Sequence, residues 1–215
     1  MNDFAVRIRR ATMAEHREAE TRSFIARLMK GEVPYAGYAA LTAQYLLIYR
    51  ELEAASASMR ADVVAAGFAD PVLARVPSLK ADVAHLGAAA VEPLAATTRY
   101  VERLREYCHT SPAHFIAHHY VRYLGDLSGG LMVGRSVSRT YGLGAEGVSF
   151  YTFDGIPDAK AYKTAYRERL DLLPSVLAPA ALDDLLAESQ YAFKLNAALF
   201  VEMGMSYPSD VASAA

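Results

Sequence analysis

Apolar positions recur along this chain at the three-to-four-residue spacing of amphipathic helices, and no alternating run is long enough to build a sheet. Residues 3–30 carry the first stripe. Lys30-Gly31 closes it as a cation followed by a C-cap glycine, and Pro34 opens the next element. A second helix is expected from Tyr35 to Ala66, stopped by Gly67, with Tyr38, Tyr45 and Tyr49 on its apolar face. Asp70-Pro71 starts a shorter helix towards Leu86. The stretch from Gly87 to Ala96, with Pro93, is a connector, and Thr97 to His109 is a further helix. Ser111-Pro112 caps the start of a central one. Gly142 to Pro157 is the one sizeable irregular segment, with Val148 to Phe153 extended in character. Asp158 opens a helix through Leu172 that Pro174 ends, and Pro179 begins the last, which runs to Met203 before Gly204. The last stripe reads Leu182, Leu186, Ser189, Phe193, Asn196, Phe200, Met203; the amide of Asn196 interrupts it and must find partners. These elements predict an all-α, single-domain chain over residues 1–205, with a frayed tail at 206–215.

The central helix is the anomaly. Gly125, Gly129, Gly130 and Gly134 fall within ten residues of a stretch whose other signals are helical. Each glycine costs roughly 0.5–1 kcal/mol against alanine in a helix interior. At about 100° per residue, Gly125 and Gly129 share one side, with Arg122, Asp126 and Gly130 beside them. A face so bare suits either close helix packing through small residues or a large flat ligand lying against backbone, with a kink where carbonyls and amides meet it. Asp126 within the patch favours the ligand.

Composition narrows the choice without making it. A chain of 215 residues, 53% hydrophobic, buries one sizeable core. A net charge of −2 offers no global attraction to nucleic acid or anionic membrane, so any cationic function is local. The longest apolar runs are short of the ~20 residues a membrane span requires, and no signal-peptide core opens the chain. A cytoplasmic protein is expected. Cys108 is the only cysteine, which excludes an intrachain disulfide and a multi-cysteine cluster.

Three further patterns carry chemistry. Arg9, His16 and Glu20 project from nearly the same side of the first stripe, and a histidine one turn from a carboxylate is the arrangement of an oriented metal ligand or of a plain surface pair. Lys163 and Arg167, with Lys160 nearby, sit one turn apart on a helix and form either a solvated face or a grip on ligand carboxylates. His109, His114, His118 and His119 cluster, yet only Glu106 to His109 matches Glu-x-x-His, short of the two copies that a carboxylate-bridged di-iron bundle requires. His118 and His119 are expected as packing or surface residues.

The run Tyr120-Val-Arg122-Tyr-Leu-Gly125-Asp126-Leu-Ser-Gly129-Gly130 resembles the distal-helix motif of the α-selective heme oxygenases, both mammalian and soluble bacterial. His16 to Glu20 resembles their proximal segment. Tyr49, Phe150 to Phe153, Lys163 to Arg167 and Phe193 to Phe200 match the remaining pocket elements in order, from about Arg7 to Met203. The resemblance implies heme b, as substrate and cofactor, held between a proximal helix and a kinked glycine-rich distal one. It makes His16 the axial iron ligand and Glu20 its orienting partner. Gly125, Gly129 and Gly130 would let the backbone lie against the heme. Asp126 would anchor distal water with Tyr49, Arg122 and Asn196. Arg9, Tyr120, Lys163 and Arg167 would hold the propionates, and Phe193 and Phe200 would wall the pocket.

The implied reaction opens heme at the α-meso carbon to biliverdin, CO and ferrous iron, using O2 and electrons from an external donor, a ferredoxin or an NAD(P)H-dependent reductase. Two positions depart from the family pattern, Leu131 where glutamine often follows the paired glycines and Leu28 where the mammalian type has an aromatic residue. A non-catalytic heme carrier or sensor on the same fold is the main alternative, and a heme-free bundle the other. Intact Asp126, Arg122 and Tyr49 weigh against the first, and intact His16 with the cationic set against the second.

Overall fold

A computed structural model describes residues 3–21 and 23–208, with side chains for all of these except 18–21 and 23. The first expected helix is interrupted. Helix α1 covers Phe4–Ala11, α2 Met13–Thr21 and α3 Ser23–Lys30. The α1/α2 break is at Thr12, whose hydroxyl donates back to the Ile8 carbonyl at 2.9 Å, the local bonding by which threonine competes with the helix ladder. Arg9 and His16 therefore lie on separate helices. Gly31 then takes φ 75°, a left-handed turn open to glycine, as expected of a C-cap.

Helix α4, Tyr35–Met59, is the central post and ends earlier than its sequence pattern suggests. Asp62 draws the chain off by accepting the amides of Val64 and Ala65, and residues Ala65–Gly67 form a separate 3₁₀ turn. The helix expected from Asp70 is likewise split into a 3₁₀ turn, Pro71–Leu73, and α5, Val76–His85, because Ala74 between them is extended. Helix α6 covers Ala95–Tyr107 and α7 Pro112–His119, with Ser111 at its N-cap. Two π-helical segments, Tyr120–Leu124 and Asp126–Gly130, carry the chain into α8, Leu131–Tyr141. The stretch expected to be extended at 148–153 is instead a 3₁₀ turn at Ser149–Tyr151. Asp158 caps α9, Ala159–Leu172, by accepting the amides of Lys160 and Ala161. Helix α10, Pro179–Ser206, runs through Gly204 rather than stopping before it.

Helix α10 packs against α7, α6, α2 and α3, so the last helix ties the first helices to the middle of the chain. The main core gathers Ile8, Phe24, Ile48, Leu52, Leu79, Tyr166 and Leu199 among others. A second, smaller cluster of Val121, Ala192, Phe193 and Ala197, with Tyr120 against it, stands apart from that core. The chain remains packed through Tyr207, whose carbonyl accepts from Arg27 at 2.9 Å. Residues 209–215, within the expected tail, lie outside the described residues. Among the described residues no helix is long and apolar enough to cross a membrane.

Candidate functional site

The glycine-rich helix is distorted where the glycines fall. In a π turn each amide reaches one residue further back, which widens the helix and turns side chains out of the regular register. Gly125 is the single α-helical residue between the two π segments. The four glycines divide into two kinds. A Cβ built on Gly125 or Gly129 would meet nothing within 4 Å, whereas on Gly130 it would lie 3.6 Å from the Tyr151 ring and on Gly134 only 2.9 Å from the Tyr151 Cβ. Both sequence-level explanations therefore hold, each for half of the stretch: an open face at 125 and 129, close packing at 130 and 134.

Behind that face the polar residues form one connected chain. The Arg122 Nη1 donates to Asn196 Oδ1 at 2.7 Å, and its Nε donates to the Tyr49 hydroxyl at 3.2 Å. The Tyr49 hydroxyl in turn donates to Asp126 Oδ2. Arg122 is only 4% exposed and lies over the rings of Tyr45 and Tyr49, 4.5 and 4.8 Å from their centroids. Burial opposes its charge, but the surrounding Tyr49, Tyr45, Tyr100 and Asp126 outweigh that and hold its proton more firmly than usual. Burial pushes the Asp126 carboxyl up to about 6, against the opposing pull of Arg122, the Tyr49 hydroxyl and Arg75. Burial likewise holds the Tyr49 phenol protonated. Asn196, the amide that interrupts the last stripe, thus finds its partner in Arg122.

His16 is exposed on α2, with its ring edge-on to Phe193 at 5.5 Å between centroids. Phe193 belongs to the small cluster with Val121, which starts the glycine-rich stretch. Glu20 is backbone only here; its side chain lies outside the described residues. Phe200, two turns further along the same face of α10, sits in the main core. At the rim, burial raises the Tyr120 phenol while Thr12, Arg167 and Arg9 pull it back. The Lys163 ammonium donates to Ser128 Oγ at 3.3 Å, between Gly125 and Gly129 in sequence. Leu131 is 51% exposed and Leu28 is 1% exposed, so one departure from the family pattern faces solvent and the other is core.

Other sequence candidates are used structurally. His118 is fully buried and bonds Glu188 at 2.8 Å, His119 bonds the Tyr166 hydroxyl at 2.9 Å, and His109 bonds Glu51 at 2.8 Å. Among the described residues no group of three or more His, Cys, Asp or Glu side chains is placed to hold a metal ion. The sequence pattern missed Arg75. Arg75 is 6% exposed, and its charge acts on Asp126. Its one sequence signal is a lone arginine among Ala74, Val76 and Pro77, seven residues before Asp82.

An open backbone face, a histidine on a helix beside it, cations at the rim and a buried donor chain behind it together suit a flat, anionic, iron-bearing ligand such as heme. The heme oxygenase family model matches residues 2–202. The chain is 30% identical over 211 residues to the heme oxygenase of Guillardia theta, with 96% of this chain and 88% of that one covered. It is 34% identical over 208 residues to heme oxygenase 1 of Bos taurus, covering 94% and 71%. The solved heme oxygenase-1 of the cyanobacterium Synechocystis, in complex with heme, superposes with a TM-score of 0.89 at 30% identity, covering 95% of this chain and 93% of that one. The heme oxygenase of Leptospira interrogans superposes with a TM-score of 0.87 at 34% identity, covering 93% and 99%.

Proposed function

The chain belongs to the heme oxygenase family of heme-degrading oxidoreductases, and from that premise we propose that it opens heme at the α-meso carbon to biliverdin, CO and ferrous iron. The observation that carries the reading is the unbroken hydrogen-bonded network in which Arg122 donates to both Asn196 and Tyr49, and Tyr49 to Asp126, behind the open face of Gly125 and Gly129. Storage of heme requires no such network.

Heme, when bound, supplies the iron that activates O2 and the carbon that is oxidised. His16 would hold the iron, and Glu20, as the family resemblance implies, would orient its ring. Gly125 and Gly129 would admit the flat face, Gly130 would keep the bend, and Phe193 and Phe200 would wall the pocket. Arg9, Tyr120, Lys163 and Arg167 would pair with the propionates and so select the meso carbon that is oxidised. Asp126 orders water there as an acceptor, while Tyr49 and Arg122 hold its carboxylate in one orientation. A proton is thereby available at a fixed atom and bulk water is kept from the rest of the pocket. A ferredoxin or an NAD(P)H-dependent reductase supplies the electrons, in the cytoplasm.

The test is direct. Purified protein mixed with one equivalent of hemin, then given a ferredoxin reducing system under air, should lose its Soret band as biliverdin absorbance and CO appear. A stable heme complex under the same conditions, with the reductant shown to be competent, replaces the oxygenase by a carrier.

A further inference from the structure

Two side chains on α5 hold the 149–152 turn from opposite polarities. Asp82, fully buried, accepts the Ser149 amide at 3.0 Å and the Ser149 hydroxyl at 2.7 Å through one oxygen, and the Phe150 amide at 2.8 Å through the other. Arg75, at the N-cap of the same helix, donates from Nη1 to the carbonyls of Phe150 and Thr152. Its Nε donates to the carbonyls of Leu73 and Ala74 at 3.2 and 2.8 Å, and its guanidinium lies 3.9 Å over the Phe153 ring. The amides of the turn thus go to the carboxylate and its carbonyls to the guanidinium. Residues 75 and 82 are seven apart, two turns along one helix face.

The turn they grip presents two rings to the distal machinery. Phe150 packs edge-on against Tyr49, with centroids 5.3 Å apart, and lies tilted against Tyr45 at 5.6 Å. Tyr151 fills the notch over Gly130 and Gly134. One ring therefore sets where the Tyr49 hydroxyl lies, and the other where the glycine-rich helix bends.

We propose that Arg75 and Asp82 are positioning residues for the Asp126–Tyr49 pair, acting through the 149–152 turn as a clamp on the bend of the glycine-rich helix. They touch neither substrate nor iron. The clamp explains why a full guanidinium and a full carboxylate are buried so close to the pocket yet spent on backbone atoms.

The test uses Asp82→Asn, which replaces an acceptor of the amides and leaves the charges facing Asp126 in place, and Arg75→Lys, which keeps the charge but lacks the planar fork. In the heme-free protein, native-state amide exchange over residues 126–134 should rise about tenfold in both while α6 keeps its wild-type protection, because a local anchor has been lost and not the global fold. In the heme-loaded enzyme, kcat should fall about fivefold or more with heme affinity unchanged, the split expected of a group that acts only during turnover. Gly134→Ala is the third variant, since its methyl would displace the Tyr151 ring without touching the clamp, and it should reproduce the exchange pattern if Asp82→Asn fails to fold. Wild-type exchange at 126–134, or a uniform rise across all helices, overturns the proposal. The turnover arm rests on the oxygenase reading; the exchange arm, read without heme, does not, so failure of one is distinguishable from failure of the other.

Discussion

At the scale of single residues, Asp126 carries the largest expectation. Its side chain is held by Tyr49 and faces Arg122 and Arg75, so Asp126→Ala removes the acceptor while leaving His16 and the rim cations intact. The variant should bind heme stoichiometrically and yield little biliverdin, with its reducing equivalents diverted to peroxide or to peroxidase-like oxidation of an added phenol. Normal biliverdin yield removes Asp126 from the role. The same carboxyl sets a pH dependence. Because burial raises it to about 6, it is ionised above that value and protonated below, and turnover should fall as pH drops through about 6. The sign for stability is opposite. A carboxyl raised on folding contributes most below its unfolded value and loses that contribution as pH climbs through about 6. Asp126→Asn should therefore gain in Tm relative to wild type, in the heme-free protein, as pH rises across that window. A pH-independent difference in Tm would mean that Asp126 is not strained by ionisation. These residues were legible in sequence because the family resemblance names them, two within the 120–130 motif and two outside it: Asp126, Arg122, Tyr49 and Asn196 are the four the structure joins. Arg75 was not, because nothing in Ala74-Arg75-Val76 tells a buried guanidinium from a surface one until its carbonyl partners from residue 150 onward arrive in space.

At the scale of elements, the glycine-rich helix separates two uses of glycine that the sequence merges. Gly125→Ala and Gly129→Ala place a methyl in open space, so each should leave the fold intact and even stabilise it by about 0.5–1 kcal/mol through helix propensity. Each should nevertheless weaken heme binding, measured by Soret titration, because the methyl occupies the face where a flat ligand approaches. Gly134→Ala should do the reverse, lowering Tm by collision with Tyr151 and sparing affinity. Equal affinities across all three variants would leave the open face without a ligand role. Helix α9 gives a second expectation at this scale. Lys163 and Arg167 are one turn apart, the first on Ser128 and the second beside Tyr120. Neutralising both as Lys163→Gln with Arg167→Gln should broaden the biliverdin isomer mixture, read by chromatography, and a single retained isomer would count against their steering of the heme. Element boundaries were the weaker part of the sequence pattern. Thr12 and Asp62 ended or broke helices by side-chain bonds to nearby backbone, a local competition that hydrophobic periodicity does not record.

At the scale of the whole molecule, the pocket depends on α10 keeping its place against α7, since one carries Phe193 and Asn196 and the other leads into Arg122. A buried ion cluster fastens that contact. Glu188 accepts from Arg103 at 2.9 and 2.6 Å and from His118 at 2.8 Å, with His114 at 3.8 Å. Burial opposes its charge, but Arg103 and His118 outweigh that and bring the carboxyl down to about 2. A depressed carboxyl contributes stability above its unfolded value and loses it as pH falls through the folded one, so this contribution is complete above about pH 5 and declines towards pH 2. Glu188→Gln leaves Arg103 and His118 facing a neutral amide and should cost about 3 kcal/mol at neutral pH. The deficit should shrink on acidification, because the wild type loses the same charge. Denaturant unfolding of both proteins across that range measures it, and a deficit that stays constant with pH would assign the loss to packing instead. The expected cost bears on function as well as stability: α10 carries Asn196, α7 runs directly into the π segment that carries Arg122, and a hydrogen bond of 2.7 Å joins those two residues. A protein weakened at Glu188 should thus lose heme turnover at temperatures where its helical content is still intact.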